Sequence, residues 1–339
     1  MKRILAIDSQ YTLFQYLLLS SEEEINNTFI FCRNGLSKEV LSKFEGRYYV
    51  VPRLNGFLNS MYFYYRILFR FPFLFSESNQ YWGCDNLGFE MFIIRHHNFH
   101  LLEDGLLSYN EIPYKWKNKR FSKLKKLIFG PLNAERKYVG EEKTCICRHM
   151  TGLIDTSIVH DSKTQVDSLD SMWKKSSSSK RELINNIFGI NHKFINNLVN
   201  YDGILFTQPL SEDGYISEEE KISLYKKIIM YIGDNMKILI KPHPRETTNY
   251  NLFFPSIRIM NTKAPFQLLS LNGVHFREAY TIFSTCALDF NFSIKVFYFG
   301  SQINDKLGNI FRDNHYGSIC PDSPFVEIQK IDFNRFNSL

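Results

Sequence analysis

Residues 202–245 read DGILFTQPLSEDGYISEEEKISLYKKIIMYIGDNMKILIKPHPR, and this stretch decides the fold class. Two short apolar runs, DGILFTQPL (202–210) and KILIKPHPR (237–245), have the length of buried strands and both end in proline-containing turns. Between them Ser217 and Glu220 have the spacing of a capping box, and Gly233 supplies a stop. A helix from Ser217 to Ile232 follows. Ile222, Tyr225, Ile229 and Ile232 fall on one of its faces, as a helix packed on a sheet requires. Strand, helix, strand implies a parallel sheet.

The pattern continues on both sides. Downstream come IRIMN (257–261), a helix from about Pro265, AYTIF (279–283), a helix opening near Ser284, and VFYFG (296–300). Upstream, KRILAID (2–8), TFIFCRN (28–34), RYYVVPRL (47–54), YWGCD (81–85) and FHLLED (99–104) read as strands, with a helix-length YTLFQYLLL between the first two. From about Asp161 to Arg181 the chain turns polar and ends in SSSSK, which reads as a linker or surface excursion. The expected organisation is α/β throughout: a Rossmann-like amino-terminal domain over 1–160, a linker and connecting helix over 161–200, and a second doubly wound domain over 201–339. Ligands of such domains bind beyond the carboxyl ends of the strands.

At 339 residues, 44% of them apolar, the chain has material for two cores. Its net charge of +6 sets 41 basic against 35 acidic residues, too even a balance for a dedicated nucleic-acid binder. An anionic small substrate or an anionic membrane surface suits it. Six cysteines lie scattered without a framework, which fits a reducing cytoplasm. The start, MKRILAIDS, has too short an apolar run for a signal peptide, and no uncharged apolar stretch approaches the roughly 18 residues of a membrane span. A cytoplasmic protein, soluble or peripheral on the inner face of the membrane, is expected.

Three features stand just after predicted strands: Glu103-Asp104-Gly105, His243-Pro244 and Ser284-Thr285. Acidic residues before glycine are common in turns, yet a carboxylate facing a cleft also serves as a general base, with Gly105 admitting a substrate to the backbone. In KPHPR the prolines at 242 and 244 hold His243 extended at the sheet edge, and Lys241 and Arg245 beside it favour an anion. Ser284 and Thr285 suit a helix cap and a phosphate contact equally. Gln208-Pro209, Pro265-Phe266-Gln267, Asp8 and Gln10 read locally as turn and capping residues, and Asp289 stands one turn further on as a support.

Cys145-x-Cys147-x-His149 lacks a fourth partner at zinc spacing, so no metal site is expected. There is no Walker A loop and no G-x-S-x-G. MYFYYRILFRFPFLF (61–75) and KWKNKRFSKLKKLIF (115–129) interleave basic and aromatic residues, which suits either a core helix, in the first case, or contact with anionic lipid headgroups.

Taken together, the acid-acid-glycine motif, the His-Pro pair and the later hydroxyl pair resemble those of the bacterial sialyltransferases. FTQPLSEDG (206–214), KPHPRE (241–246) and IFSTCALDF (282–290) are most similar to glycosyltransferase family 52, the lipooligosaccharide sialyltransferase family. The resemblance implies a GT-B architecture, two Rossmann-like domains facing across a cleft, and transfer of sialic acid from CMP-sialic acid without metal or other cofactor. It casts Glu103 as general base with Asp104 and Gly105 in support, and His243 as contact to the departing phosphate and its acid. Lys241, Pro244, Arg245, Ser284 and Thr285 would join it around the CMP phosphate. Gln208 and Pro209 would shape the nucleotide loop and Pro265, Phe266 and Gln267 would lie near the ribose, although family members often carry Glu where this chain has Gln267. Asp8 and Gln10 would stand on the acceptor side.

The function so implied is an inverting α2,3-sialyltransferase acting on a terminal galactose of a bacterial surface glycan, such as lipooligosaccharide, O-antigen or a capsule repeat, free or lipid-linked. A homodimer is compatible with it, and nucleic acid is not a partner. Two rivals stay open: the same scaffold using another nucleotide sugar, and a non-catalytic binder of glycans or membrane surfaces.

Overall fold

The computed structural model describes residues 2–52, 57–85, 93, 97–105, 108–109, 138–141, 143–152, 157–262, 264–288, 290–311 and 325–339. The chain divides into two units, Met1–Gly189 and Ile190–Leu339.

Among the described residues, the first unit has one all-parallel sheet in the order β3-β2-β1-β4-β5-β6-β7. Its strands are β1 Arg3–Ala6, β2 Thr28–Cys32, β3 Tyr48–Val50, β4 Gln80–Gly83, β5 Phe99–Leu102, β6 Cys145–Met150 and β7 Thr164–Val166. The second unit has the order β10-β9-β8-β11-β12-β13, again all parallel. Here the strands are β8 Gly203–Phe206, β9 Ile238–Lys241, β10 Arg258–Ile259, β11 Glu278–Thr281, β12 Ile294–Tyr298 and β13 Val326–Ile328. All four residues of β1, of β8 and of β9 are buried. Burial on both faces is why these strands read as unbroken apolar runs rather than as alternating ones.

The helix Glu218–Ile232 forms as its caps direct. Ser217 accepts from the Glu220 N–H, Glu220 reaches back to the Ser217 N–H, and Gly233 ends the helix at φ 82°. Three glutamates in its first turn face the positive end of the helix dipole. Its buried stripe is rotated from the expected one: Lys221, Ile222, Leu224, Tyr225, Ile228 and Tyr231 are buried, and Ile229 and Ile232 sit at the margin. A buried lysine moves the stripe, because its charge has carboxylates waiting on that side.

Residues 161–200 depart from the linker reading. β7 pairs with β6, and the serines of SSSSK open the helix Ser178–Ile187, capped by Ser177. Trp173 and Phe188 set their edges against Phe14, and Lys180 donates to the Leu18 carbonyl at 2.6 Å. The polar composition belongs to caps and an outer face, and the first unit runs on to Gly189. Each unit has its own apolar core, one around Ile4, Phe31, Phe63 and Phe99 and one around Leu205, Tyr225, Ile240 and Phe299.

Candidate active site

In the first unit, the chain leaves β5 directly into Glu103. Its side chain is 0% exposed, and its two oxygens accept four hydrogen bonds. Tyr11 Oη donates to Oε1 at 2.8 Å. Tyr109 Oη, the Thr151 N–H and Thr151 Oγ1 donate to Oε2 at 2.7, 2.6 and 2.8 Å. The backbone is fixed as well: the Glu103 N–H donates to Gln15 Oε1 at 2.9 Å, and its carbonyl accepts from Thr12 Oγ1 at 2.9 Å. Burial pushes the Glu103 carboxyl up to about 7 against the pull of these donors.

So enclosed, the Glu103 carboxylate anchors the strand end in this structure, and Asp104 is the more exposed acid of the pair. Asp104, the next residue, is half-buried, with its N–H donating to Ser108 Oγ at 2.7 Å. Gly105 holds φ 62°, and a Cβ there would meet nothing within 4 Å. The glycine answers the backbone conformation, and the space beside it is open among the described residues.

Asp8, expected as a cap or acceptor contact, ties β1 to the loop after β2: its Oδ1 accepts from the N–H groups of Arg33 and Gly35 at 2.8 and 3.0 Å. A Cβ at Gly35 would lie 1.6 Å from the Asp8 carbonyl oxygen, so this approach demands glycine. Burial raises the Asp8 carboxyl even so. Gln10, the first residue of the helix Gln10–Leu19, is 5% exposed, and neither Oε1 nor Nε2 has a hydrogen-bonding partner among the described residues. Buried amide atoms without partners are uncommon.

In the second unit the chain runs from β8 out to β10 on one side, then to β11, β12 and β13 on the other. β8 and β11 thus flank the point where the strand order reverses. Gln208, just past β8, bridges it: its Oε1 accepts from the Phe283 N–H beyond β11 at 3.1 Å, while its own N–H donates to Tyr225 Oη at 2.8 Å. The Pro209 carbonyl accepts from the Asp213 N–H at 2.9 Å and closes that turn. Ser284 follows, its N–H donating to Thr281 Oγ1 at 2.8 Å, and Thr285 opens a single 3-10 turn, Thr285–Ala287, where a helix was expected. Asp289 lies outside the described residues.

His243 follows β9, beside β8. The Arg245 N–H donates to its Nδ1 at 3.2 Å, which leaves the proton of the neutral ring on Nε2. Lys241 ends β9, buried, and Pro244 is exposed in the turn. Two residues expected at the donor have other partners in this structure. Arg245 is held in a bidentate pair with Asp213, at 2.5 and 3.0 Å. Phe266 is core, 1% exposed, with its ring centroid 5.2 Å from those of Phe206 and Phe290. Pro265 caps the helix Phe266–Leu271, and Gln267 lies buried in its first turn.

Several residues on which these groups depend drew no attention in the sequence. Tyr11, Tyr109 and Thr151 enclose Glu103, and Glu246 receives the His243 N–H at 2.6 Å. KPHPRE does contain Glu246 at a spacing that lets it close a turn, but single acids after a turn are too common to single it out. Cys145, Cys147 and His149 lie along β6, with His149 Nε2 3.0 Å from His100 Nδ1. Among the described residues no group of three His, Cys, Asp or Glu is arranged to hold a metal. The basic stretch 115–129 lies outside the described residues. The stretch 61–75 falls on the helix Phe57–Arg70 and the 3-10 turn Pro72–Phe75, with Phe63 and Ile67 in the core.

Known structures share this architecture. A Photobacterium phosphoreum alpha/beta-galactoside alpha-2,3-sialyltransferase matches with a TM-score of 0.52 at 12% identity, covering 99% of both chains. A Photobacterium 2,6-sialyltransferase, solved with CMP and lactose, matches at 0.58 and 12%, covering 96% of this chain and 78% of the other. The GT-B domain of a Photobacterium damselae sialyltransferase matches at 0.54 and 14%, covering 97% and 100%. At such identities the likeness is one of fold, and the fold is α/β GT-B. In sequence, an uncharacterized protein of Haemophilus influenzae is 35% identical over 244 residues, 69% of this chain and 74% of the relative. The sequence model of that glycosyltransferase family to which the strand-end motifs pointed matches residues 73–299, and on this match the chain belongs to glycosyltransferase family 52.

Proposed function

We propose that the protein is a sialyltransferase that moves sialic acid, with inversion, from CMP-sialic acid to a terminal galactose of a bacterial surface glycan in α2,3 linkage. The observation that carries this reading is that the family 52 match, residues 73–299, runs through both strand-end sites, the acidic one after β5 and the His-Pro turn after β9. Lipooligosaccharide and lipid-linked O-antigen or capsule repeats are the acceptors that suit a cytoplasmic, peripheral enzyme.

A sugar leaving CMP passes through a cation-like state and deposits charge on the phosphate. In the proposed scheme the Nε2–H of His243 and the Ser284 hydroxyl meet that charge, with Gln208 holding the two loops together. Asp104 takes the proton of the attacking galactose hydroxyl, Glu103 anchors the backbone that presents it, and Gln10 offers its unpaired amide to the acceptor. No metal has a part. Positioned acid–base catalysis contributes about 10²- to 10⁴-fold, and donors aimed at the phosphate a comparable factor.

The test is CMP release from CMP-sialic acid with a panel of galactose-terminated acceptors. Asp104→Asn should lower turnover by about 10²-fold or more with CMP affinity retained. If Glu103→Gln is the more damaging change at unchanged CMP affinity, the base role returns to Glu103. Calorimetric titration with CMP, UDP and GDP examines the donor, and preference for UDP would reject the sialic acid assignment in favour of another nucleotide sugar.

A further inference from the structure

The Glu246 carboxylate is 0% exposed and sits where three elements of the second unit converge. Its Oε1 accepts from the His243 N–H and from Thr207 Oγ1, each at 2.6 Å. Its Oε2 accepts from Tyr250 Oη in a short contact and lies 3.7 Å from Lys221 Nζ. The Glu246 N–H closes the turn by donating to the His243 carbonyl at 3.0 Å.

One carboxyl group therefore joins the end of β8, the turn after β9 and the helix Tyr250–Phe253. Thr207 precedes Gln208, which reaches across the switch point to Phe283, so the same group is linked to the loop bearing Ser284.

Lys221 is also 0% exposed and shares its charge among Glu212 at 2.8 Å, Glu218 at 3.3 Å and Glu246. Glu212 in turn accepts from the Thr247 N–H at 2.8 Å, directly after Glu246. Desolvating this many charges costs several kcal/mol per ion, and apolar residues would stabilise the fold as well. A network of this kind is explained better by the geometry it enforces than by the stability it adds.

We infer that Glu246 is a positioning residue for His243: through the His243 N–H and Thr207 it fixes the His-Pro turn so that Nδ1 accepts from the Arg245 N–H and the ring proton stays on Nε2, with Lys221 as its counter-charge. The inference rests on the reading that His243 meets the donor phosphate. What matters on this account is where the carboxyl oxygens are, not the charge they carry.

Two conservative variants separate position from charge. Glu246→Gln keeps an oxygen within reach of both the His243 N–H and Thr207 but removes the charge. Glu246→Asp keeps the charge and withdraws the oxygens by one methylene. The readouts are the imidazole 15N shifts of His243, assigned by their loss in His243→Ala, and kcat for transfer from CMP-sialic acid. Glu246→Gln should keep the Nε2–H tautomer and hold kcat within about threefold, whereas Glu246→Asp should average the two nitrogen shifts and lower kcat by about 10²-fold, the scale of a 1 Å misplacement. Wild-type shifts and kcat in Glu246→Asp would overturn the inference, and so would Glu246→Gln behaving as the worse variant. If the wild type transfers no sialic acid, the functional reading falls, while the shifts still decide the role of Glu246.

Discussion

Glu103 is a fully buried carboxyl at the candidate site, and its linkage to pH has a definite sign. Its pKa rises from 4.5 to about 7 in the folded chain, chiefly by burial. The folded state thus holds the proton more tightly than the unfolded one. Its contribution is complete below about pH 4.5 and is lost as pH rises through about 7. At roughly 1.4 kcal/mol per unit this amounts to on the order of 3 kcal/mol. His149 works the other way: burial, then His100, lowers it to about 4, so stability is lost as pH falls from 6.5 toward that value. Comparing Glu103→Gln with wild type cancels the His149 part. Thermal midpoints measured from pH 4 to 9 should fall with rising pH more steeply in wild type than in Glu103→Gln, and parallel curves would remove the ionisable buried carboxyl from the account. Glu103 itself was legible as a strand-end acid. Its burial was not, because Tyr11 and Thr151 come from 92 and 48 residues away and only the assembled sheet brings them to it.

Among the elements, those between 202 and 245 were legible because capping box, stop glycine and apolar runs agree at every position. β7 was not, since Thr164–Val166 is three residues of which two are exposed, and only pairing with β6 makes it a strand. The helix Phe57–Arg70 carries two apolar faces, which no single period resolves. Phe63 and Ile67 enter the core, while Tyr62, Tyr65 and Phe69 are 65%, 53% and 86% exposed. At about 100° per residue those three rings fall within roughly 60° of one another, beside Arg66 and Arg70. Both arginines lie against aromatic rings, Arg66 on Tyr62 and Arg70 on Tyr49. Exposed aromatic rings beside arginines suit the headgroup layer of an anionic membrane. Vesicles of phosphatidylcholine with phosphatidylglycerol should sediment the protein. At roughly 1 kcal/mol per arginine, Arg66→Glu/Arg70→Glu should weaken that binding by about 30-fold or more, and Tyr62→Ser/Phe69→Ser should weaken it too. Binding that ignores both double variants would take this helix out of any membrane role.

At the scale of the whole molecule, two sheets with separate cores divide the chemistry that the proposed reaction needs. The first unit contributes an acidic strand end built on Glu103 and Asp104, and the second contributes the His243 turn and the Gln208 bridge. Both were legible as strand-end motifs because ligands of open α/β sheets bind beyond the carboxyl ends of the strands. The identity of the ligand at each end depends on partners the motifs do not contain, such as Glu246 for His243 and Asp213 for Arg245. This division predicts a pattern in amide hydrogen exchange. CMP alone at about 100 times its Kd should slow opening of the loops it holds by about 100-fold, and these should be 207–213, 241–248 and 283–285. A galactose-terminated sugar alone should act on 8–12, 103–105 and 151–152. The two sets should add when both ligands are present. CMP protection centred on 8–12 and 103–105, with 241–248 unchanged, would reverse the roles of the two units and with them the placement of donor and acceptor.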